Sequence, residues 1–345
     1  MDMTFFNVLW FFLIFVLIAG YFVLDGFDLG AGVLYPFVAK DDHDKAVVRR
    51  SIGPVWDGNE VWLLTAGGAL FAAFAPAYAT TFSGFYLAVM LVLFGLIVRA
   101  VSLEYRGHDK KYGKVWDGCF FVGSLLPALL LGVAVGNIYA GIPMDAAGNY
   151  NGMPLLGLIT PFTLLCGLLG LAMFMAAGAT WIALKAPKPS DLQARAAKLR
   201  LPLQIAALVL FLCVSVYGHF VIQPDMEPLL GVARWLFAIL FVAGIAASIV
   251  LAKKKDCDKG AFLGQSVSAF VLVGLLAASM FPNLVVASAD SIGPSITLMS
   301  AASSELSLMW MTIITCVGLP LVLVYHVIIY RTFRGRIKED DLAHY

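Results

Sequence analysis

Two aspartates three residues apart, Asp25 and Asp28, sit in the stretch "DGFDLGAG" at the end of an apolar run, Phe5 to Leu24, that has no acidic or basic residue. The same spacing recurs at Asp57 and Glu60 in "GPVWDGNEVWLLTAGG", while Arg99 and Glu104 end a third run in "IVRAVSLEYRG" and Asp117 begins a fourth. On a helix, residues three apart share a face. Carboxylates removed from water favour their protonated form and exchange protons nearer neutral pH, so paired carboxyls on one face are the parts of a proton path. Asp57, Glu104, Asp28 and Asp25 are therefore the candidate proton-path residues. A second reading stays open beside it: these groups cap helices and bond neighbouring helices near an interface, and Asp57, just after Pro54 and Trp56, is well placed to do so.

Other chemistry is sparse. The five histidines are His43, His108, His219, His326 and His344; of these only His219 and His326 lie in or beside apolar runs, near opposite membrane faces, whereas a bis-histidine haem needs facing ligands at one depth. Cys119, Cys166, Cys213 and Cys316 fall in apolar runs and Cys257 in a Lys-rich loop, with no C-x-x-C pair, so neither a disulfide framework nor a cysteine metal site is expected. No metal site, P-loop, zinc helix or nucleophile elbow is apparent.

The elements that must carry these groups are membrane helices. The chain has 345 residues, of which 61% are hydrophobic and 13% charged, and its mean hydropathy is +0.89. That is too little charge to cover a soluble domain, and a net charge of +1 excludes a basic footprint for nucleic acid. Apolar segments at approximately 5–38, 54–75, 78–101, 117–140, 158–184, 202–221, 229–252, 261–281 and 306–330 are each long enough to cross about 30 Å of hydrocarbon as a helix. The expected fold is an all-α integral membrane protein, a bundle of about nine transmembrane helices forming a single domain over residues 1–345. The N-terminus "MDMTFF" lacks the basic residues of a cleavable signal, so the first run reads as a retained span.

Orientation follows from the cations. Of 23 Lys and Arg, 22 fall in the connections after the first, third, fifth and seventh runs and in the tail; Arg234 is the exception. The positive-inside rule then puts the N-terminus outside and the C-terminus in the cytoplasm, which agrees with nine spans. On the other side the links are a tight turn at "AFAPAY", the Gly- and Pro-rich "GIPMDAAGNYNGMPL", and a long segment from Pro282 to about Ser304. "VWDG" occurs twice, at Val55–Gly58 and Val115–Gly118, either as a helix-pair repeat or as a recurrent interface motif. Dense small residues in "TAGGALFAAFA", "GLLGLAMFMAAGAT" and "GIAAS" suit close helix contact.

Several stretches carry a resemblance: "DGFDLGAG" at 25–32, "WDGNEVWLLTAGGALFAAFAPAYA" at 56–79, "FSGFYLAVMLVL" at 82–93, "PFTLLCGLLGLAMF" at 161–174 and "SLMWMTIITCVGLPLVLVYHVIIYRTFRG" at 307–335. In order and along the whole chain, the sequence resembles subunit II of the cytochrome bd ubiquinol oxidase family. The resemblance implies a bacterial cytoplasmic-membrane complex that oxidises quinol and reduces dioxygen to water with protons drawn from the cytoplasm. It implies haem b and haem d on a partner, subunit I, with no axial ligand on this chain, and allows a structural quinone here and a small accessory subunit. It further implies a proton path at the subunit interface through the Asp of "WDGN", Asp57, and the acidic residue before "YR", Glu104; Asp28 matches a motif residue. Trp56, Asn59, Glu60 and Arg99 are the accompanying interface or motif residues. The competing class is a proton-coupled secondary transporter, which nine spans and one-sided carboxylates disfavour.

Overall fold

The computed structural model describes residues 4–109, 111–223, 229–254 and 256–342. Among the described residues, eleven α-helices follow one another: α1 Phe5–Val38, α2 Asp42–Ile52, α3 Trp56–Ala73, α4 Ala75–Gly84, α5 Tyr86–Tyr105, α6 Gly113–Ala140, α7 Pro161–Lys185, α8 Asp191–Tyr217, α9 Gly231–Ala252, α10 Asp258–Met280 and α11 Glu305–Thr332. A π-helical turn, Gly218–Ile222, extends α8. Local signals set several starts. Thr160 and Thr163 bond reciprocally ahead of α7, with Pro161 in the first turn, where its missing N–H costs nothing; Ser190 accepts the Gln193 amide at the head of α8.

Among the described residues, eight helices are long and apolar enough to cross a membrane: α1, α5, α6, α7, α8 with its extension, α9, α10 and α11. The remaining expected span, 54–75, is α3, whose N-terminal part carries Asp57, Asn59 and Glu60 and so lowers its apolar content. The expected tight turn at "AFAPAY" is instead a helical element. The chain breaks at Phe74, where φ is −138° and ψ 61°, and restarts as α4 with Pro76 in its first turn, so the expected run 78–101 is divided between α4 and α5. The connection after α1 is likewise a helix, α2, capped by Asp41.

Helix α1 is the axis of the bundle, packing on α3, α6, α7 and α10; α7 joins it to α6 and α8, and α9 lies along α10. The α1–α7 approach is backbone to backbone. A Cβ on Gly30 would lie 1.8 Å from the Phe174 carbonyl oxygen, and one on Gly178 would lie 2.4 Å from the Ala31 nitrogen. Only residues without a side chain permit that crossing, which is how "GLLGLAMFMAAGAT" and "DGFDLGAG" act structurally. Helix α11, by contrast, packs more lightly, against α1 and α3 and through Tyr330 edge-on to Trp181 of α7. Its polar anchors include Trp10 Nε1, which donates to the Leu308 carbonyl and Thr312 Oγ1 at 3.0 Å each, and Trp62 Nε1, which donates to His326 Nε2 at 3.2 Å.

The two ends of the bundle differ. At one, the segment after α10 folds into a two-stranded antiparallel ribbon, β1 Asn283–Val285 and β2 Ile296–Thr297; the Ile142 amide donating to the Val286 carbonyl at 3.0 Å ties that segment to the connection 141–160, and Thr80 Oγ1 of α4 donates to the Gly148 carbonyl at 2.7 Å. The other end gathers the basic connections, stitched by Arg106–Asp42 at 2.8 Å, Lys45–Asp117 at 2.8 Å, Arg195–Asp44, Arg336–Asp258 at 2.8 Å and His43–Glu339 at 3.0 Å. The five cation-rich segments that the sequence assigned to one side thus meet in space.

Candidate functional site

Asp25 and Asp28 share the face of α1 toward α3, which the Arg99 side chain of α5 reaches, and both are fully buried. Asp25 Oδ1 accepts from Arg99 Nη1 at 2.8 Å, and Arg99 Nη2 donates to Glu60 Oε2 at 3.1 Å. Arg99 is also fully buried, whereas the Glu60 side chain retains 28% exposure. Asp28 Oδ2 accepts from Asn59 Nδ2 at 2.8 Å, and Asn59 Oδ1 accepts from the Tyr330 hydroxyl at 3.0 Å. Four elements therefore supply the cluster: α1 its two aspartates, α3 Asn59 and Glu60, α5 Arg99, and α11 Tyr330.

The cluster is incompletely bonded. Tyr21 Oη, Asp25 Oδ2, Asp28 Oδ1 and Arg99 Nε are buried with no hydrogen-bond partner among the described residues. Buried polar atoms left unmet mark places where water or a proton is accommodated. One guanidinium faces three carboxyls, and that surplus is what a proton would balance.

Asp57 and Glu104 lie elsewhere. Asp57 is in the first turn of α3 but does not cap it: the capping position is Val55, with no side-chain bond, so the capping alternative finds no support at this residue. It is exposed, as are Val61, Leu64, Gly68 and Phe71 farther along the same face. Glu104 is exposed at the end of α5 in line with Ile97 and Val101, and neither carboxylate makes an ion pair among the described residues. Trp56 is half-buried against the core at the basic end.

Asp117, in the second "VWDG", is a hub: its carboxylate accepts from Tyr35 Oη at 2.9 Å, Lys45 Nζ at 2.8 Å and Arg106 Nε at 2.8 Å, while Arg49 Nη1 donates to the same tyrosine at 2.7 Å. The two copies of the motif thus have different surroundings, one exposed and one ion-paired. Tyr21, one turn before Asp25, could have been found from its i, i+4 spacing. Tyr330 and the Trp62–His326 bond carry no sequence signal, because α11 is distant in the chain.

Among the described residues, the histidines in or beside the apolar runs do not form a haem-ligating pair. His326 has both ring nitrogens engaged, Nε2 by Trp62 and Nδ1 by the Val322 carbonyl at 2.9 Å. His219 stands exposed on the π-helical turn, with the Phe220 ring edge-on. Asp41, His43 and Asp44 have ligand atoms within 4.8 Å of one another, yet Asp41 caps α2, Asp44 pairs with Arg195 and His43 with Glu339. The five cysteines are free.

Comparison with known proteins adds the following. The family described as cytochrome bd terminal oxidase subunit II matches residues 6–333. The chain is 33% identical to the cytochrome bd-I ubiquinol oxidase subunit 2 of Escherichia coli K12 over 97% of its length and 96% of that protein. It is 35% identical to the cytochrome bd ubiquinol oxidase subunit 2 of Bacillus subtilis 168, over 96% of its own length and 97% of the other's. Its fold is similar to a chain of the bd oxidase from Geobacillus thermodenitrificans, with a TM-score of 0.77 at 16% identity, covering 96% of this chain and 99% of that one.

Proposed function

The chain belongs to the cytochrome bd terminal oxidase subunit II family, and from that premise we propose that it acts as the non-haem-ligating partner of subunit I and delivers cytoplasmic protons to the subunit interface through its carboxylates. As a family member it is a multi-pass protein of the bacterial inner membrane and a subunit of a quinol oxidase, an oxidoreductase complex. The transporter reading has no observation in its favour. In the proposed reading the whole chain is one membrane-embedded domain, and haem b and haem d reside on subunit I, where they supply the oxygen chemistry. The role of this chain's residues is to bind that partner and to hold and move protons. A quinone or a small accessory subunit in the complex belongs to the same reading but rests on the family alone.

The observation that carries it is the division of the carboxyls. Asp57 and Glu104 are exposed at the basic end of two apolar helix faces, on α3 and α5. A carboxylate left against lipid is costly, so such groups meet a partner or a water-filled path. Helix α11, whose membrane-crossing stretch has none of its residues buried within the chain, extends the same apolar surface. Behind that surface, Glu60 connects through Arg99 to Asp25, and Tyr330 through Asn59 to Asp28. We assign Asp57 and Glu104 to proton entry at the interface and Asp25 and Asp28 to a reserve of charge behind it, with Trp56, Asn59, Glu60 and Arg99 holding the geometry.

The test is quinol-driven oxygen consumption by the assembled complex carrying Asp57→Asn. Removal of one proton-transfer group typically costs two to four orders of magnitude at the step it serves, so turnover should fall by at least about tenfold with a full haem complement. Normal turnover would refute the proton role, and loss of haem or of the partner would reassign Asp57 to assembly. Glu104→Gln should behave likewise, with Glu104→Asp partly active.

A further inference from the structure

At the basic end, a cavity of about 100 Å³ opens between the end of α2, the end of α7 and the chain that follows α11. Arg50, Lys185, Arg334 and Arg336 line it, with Asp341 as the one carboxylate among its lining residues. Cations are expected at this end of a membrane protein, but as solvated side chains. Lys185 is different: it is only 9% exposed. Its ammonium donates to the carbonyls of Phe333 and Gly335, lies 5.2 Å from the Trp181 ring centroid, and makes no ion pair among the described residues. Burying an ammonium without an anion is unfavourable, because neutral carbonyls do not replace a counter-charge.

The neighbouring cations add to the surplus. Arg336 is committed to Asp258 and to the carbonyls of Ala183 and Ala186. Arg50 lies over the Phe333 ring at 5.2 Å, and its guanidinium is 3.9 Å from Asp341. Arg334 is exposed and forms no ion pair among the described residues. Val55, Trp181 and Tyr330 form an apolar and aromatic wall beside the cations, as at the level where lipid headgroups meet hydrocarbon. Basic pockets between helices at the cytoplasmic side are suited to phosphate-bearing headgroups.

We infer that this cavity binds the phosphodiester of an anionic phospholipid, with Arg50, Lys185 and Arg334 supplying the charge. Inorganic phosphate offers the same anion; the apolar wall and the position at the end of the membrane helices assign the site to lipid. This site shares Tyr330 with the carboxylate cluster, but its cations are other residues and it does not depend on the proton role of that cluster.

The test uses the detergent-purified, delipidated oxidase complex and native mass spectrometry, with phosphatidylglycerol, phosphatidylcholine and inorganic phosphate as probes. Phosphatidylglycerol should be retained at least about tenfold better than phosphatidylcholine, and each cation removed should weaken it roughly fivefold, as expected for a basic residue near an anionic surface. Arg334→Gln, an exposed and unpaired position, is the first variant, and Lys185→Gln combined with Arg334→Gln the second; should the second fail to assemble, Arg334→Gln alone decides. Equal retention by wild type and Arg334→Gln overturns the proposal, as does displacement of the lipid by millimolar inorganic phosphate or failure of the complex to retain any phospholipid.

Discussion

Arg99 holds Asp25 at 2.8 Å and Glu60 at 3.1 Å, with the arginine and the aspartate wholly removed from solvent. A buried pair of this kind is a weak source of net stability, but breaking it is expensive, because the remaining charge has no water to turn to. Arg99→Met should therefore destabilise the subunit by about 3–5 kcal/mol, read as a lower thermal midpoint and a reduced yield of assembled complex. Combining it with Asp25→Leu should restore part of that loss, since the fully buried carboxylate that Arg99 held is gone and Glu60, its other partner, keeps 28% exposure to water; a double variant as damaged as the single one would mean the guanidinium does more than pair with Asp25. A gentler case lies in the connection 141–160. Asp145 is held below the usual carboxylate range, first by the Asn149 backbone amide, then by the Asn149 side chain and the amides of Ala147 and Gly148. A carboxyl lowered on folding stabilises the folded loop above its unfolded pKa of about 3.9, and that contribution is lost as pH falls through the lower folded value. Amide exchange at Ala147 and Asn149, corrected for its intrinsic pH dependence, should lose protection below about pH 4, and Asp145→Asn should abolish that step.

At the level of elements, two kinds of helix contact coexist. The α1–α7 crossing is fixed by Gly30 and Gly178, whose missing Cβ atoms let main chain touch main chain. Phe27 stacks on Trp181 beside that crossing, with centroids 4.2 Å apart. Gly178→Val forces the helices apart, and an overpacking cost at or above the upper end of about 1–3 kcal/mol is expected, measured as reduced assembly; Gly118→Ala on α6, at an exposed position with open space around it and off the proposed partner surface, is the control expected to assemble normally. Helix α11 is held by few polar contacts, among them the Trp62–His326 and Tyr330–Asn59 bonds. Trp62→Phe should cost about 0.5–1.5 kcal/mol, visible as faster exchange in α11 while α7 keeps its protection.

For the whole molecule, an apolar surface on α3, α5 and α11 would be covered in the complex, whereas that on α8 and α9 would face lipid. A lipid-soluble photoreactive reagent should accordingly label Leu212 and Ile239 on α8 and α9 in the assembled oxidase but spare Leu64 on α3 and Ile314 on α11, all four of which are exposed in the lone chain. Equal labelling of both surfaces would count against a partner on α3, α5 and α11.

The membrane class, the helical fold and the grouping of cation-rich connections at one end were legible in the sequence. The reason is local: a backbone in lipid must bond within its own segment, so each span declares itself by length and apolar content. The intramembrane carboxylates were legible too, since a charge in an apolar run is conspicuous wherever it occurs. What the chain alone could not decide was which of these groups face inward. Asp25 and Asp57 look equivalent as letters, each followed three positions later by another carboxylate, yet Asp25 is buried on Arg99 and Asp57 is exposed. The break at Phe74, the reach of Tyr330 to Asn59 and the ammonium of Lys185 under the α11 tail were likewise decided by tertiary structure. Composition fixes that a helix enters the membrane; the rotation of that helix, and hence the neighbour each polar side chain meets, is set by packing against residues far away in the chain.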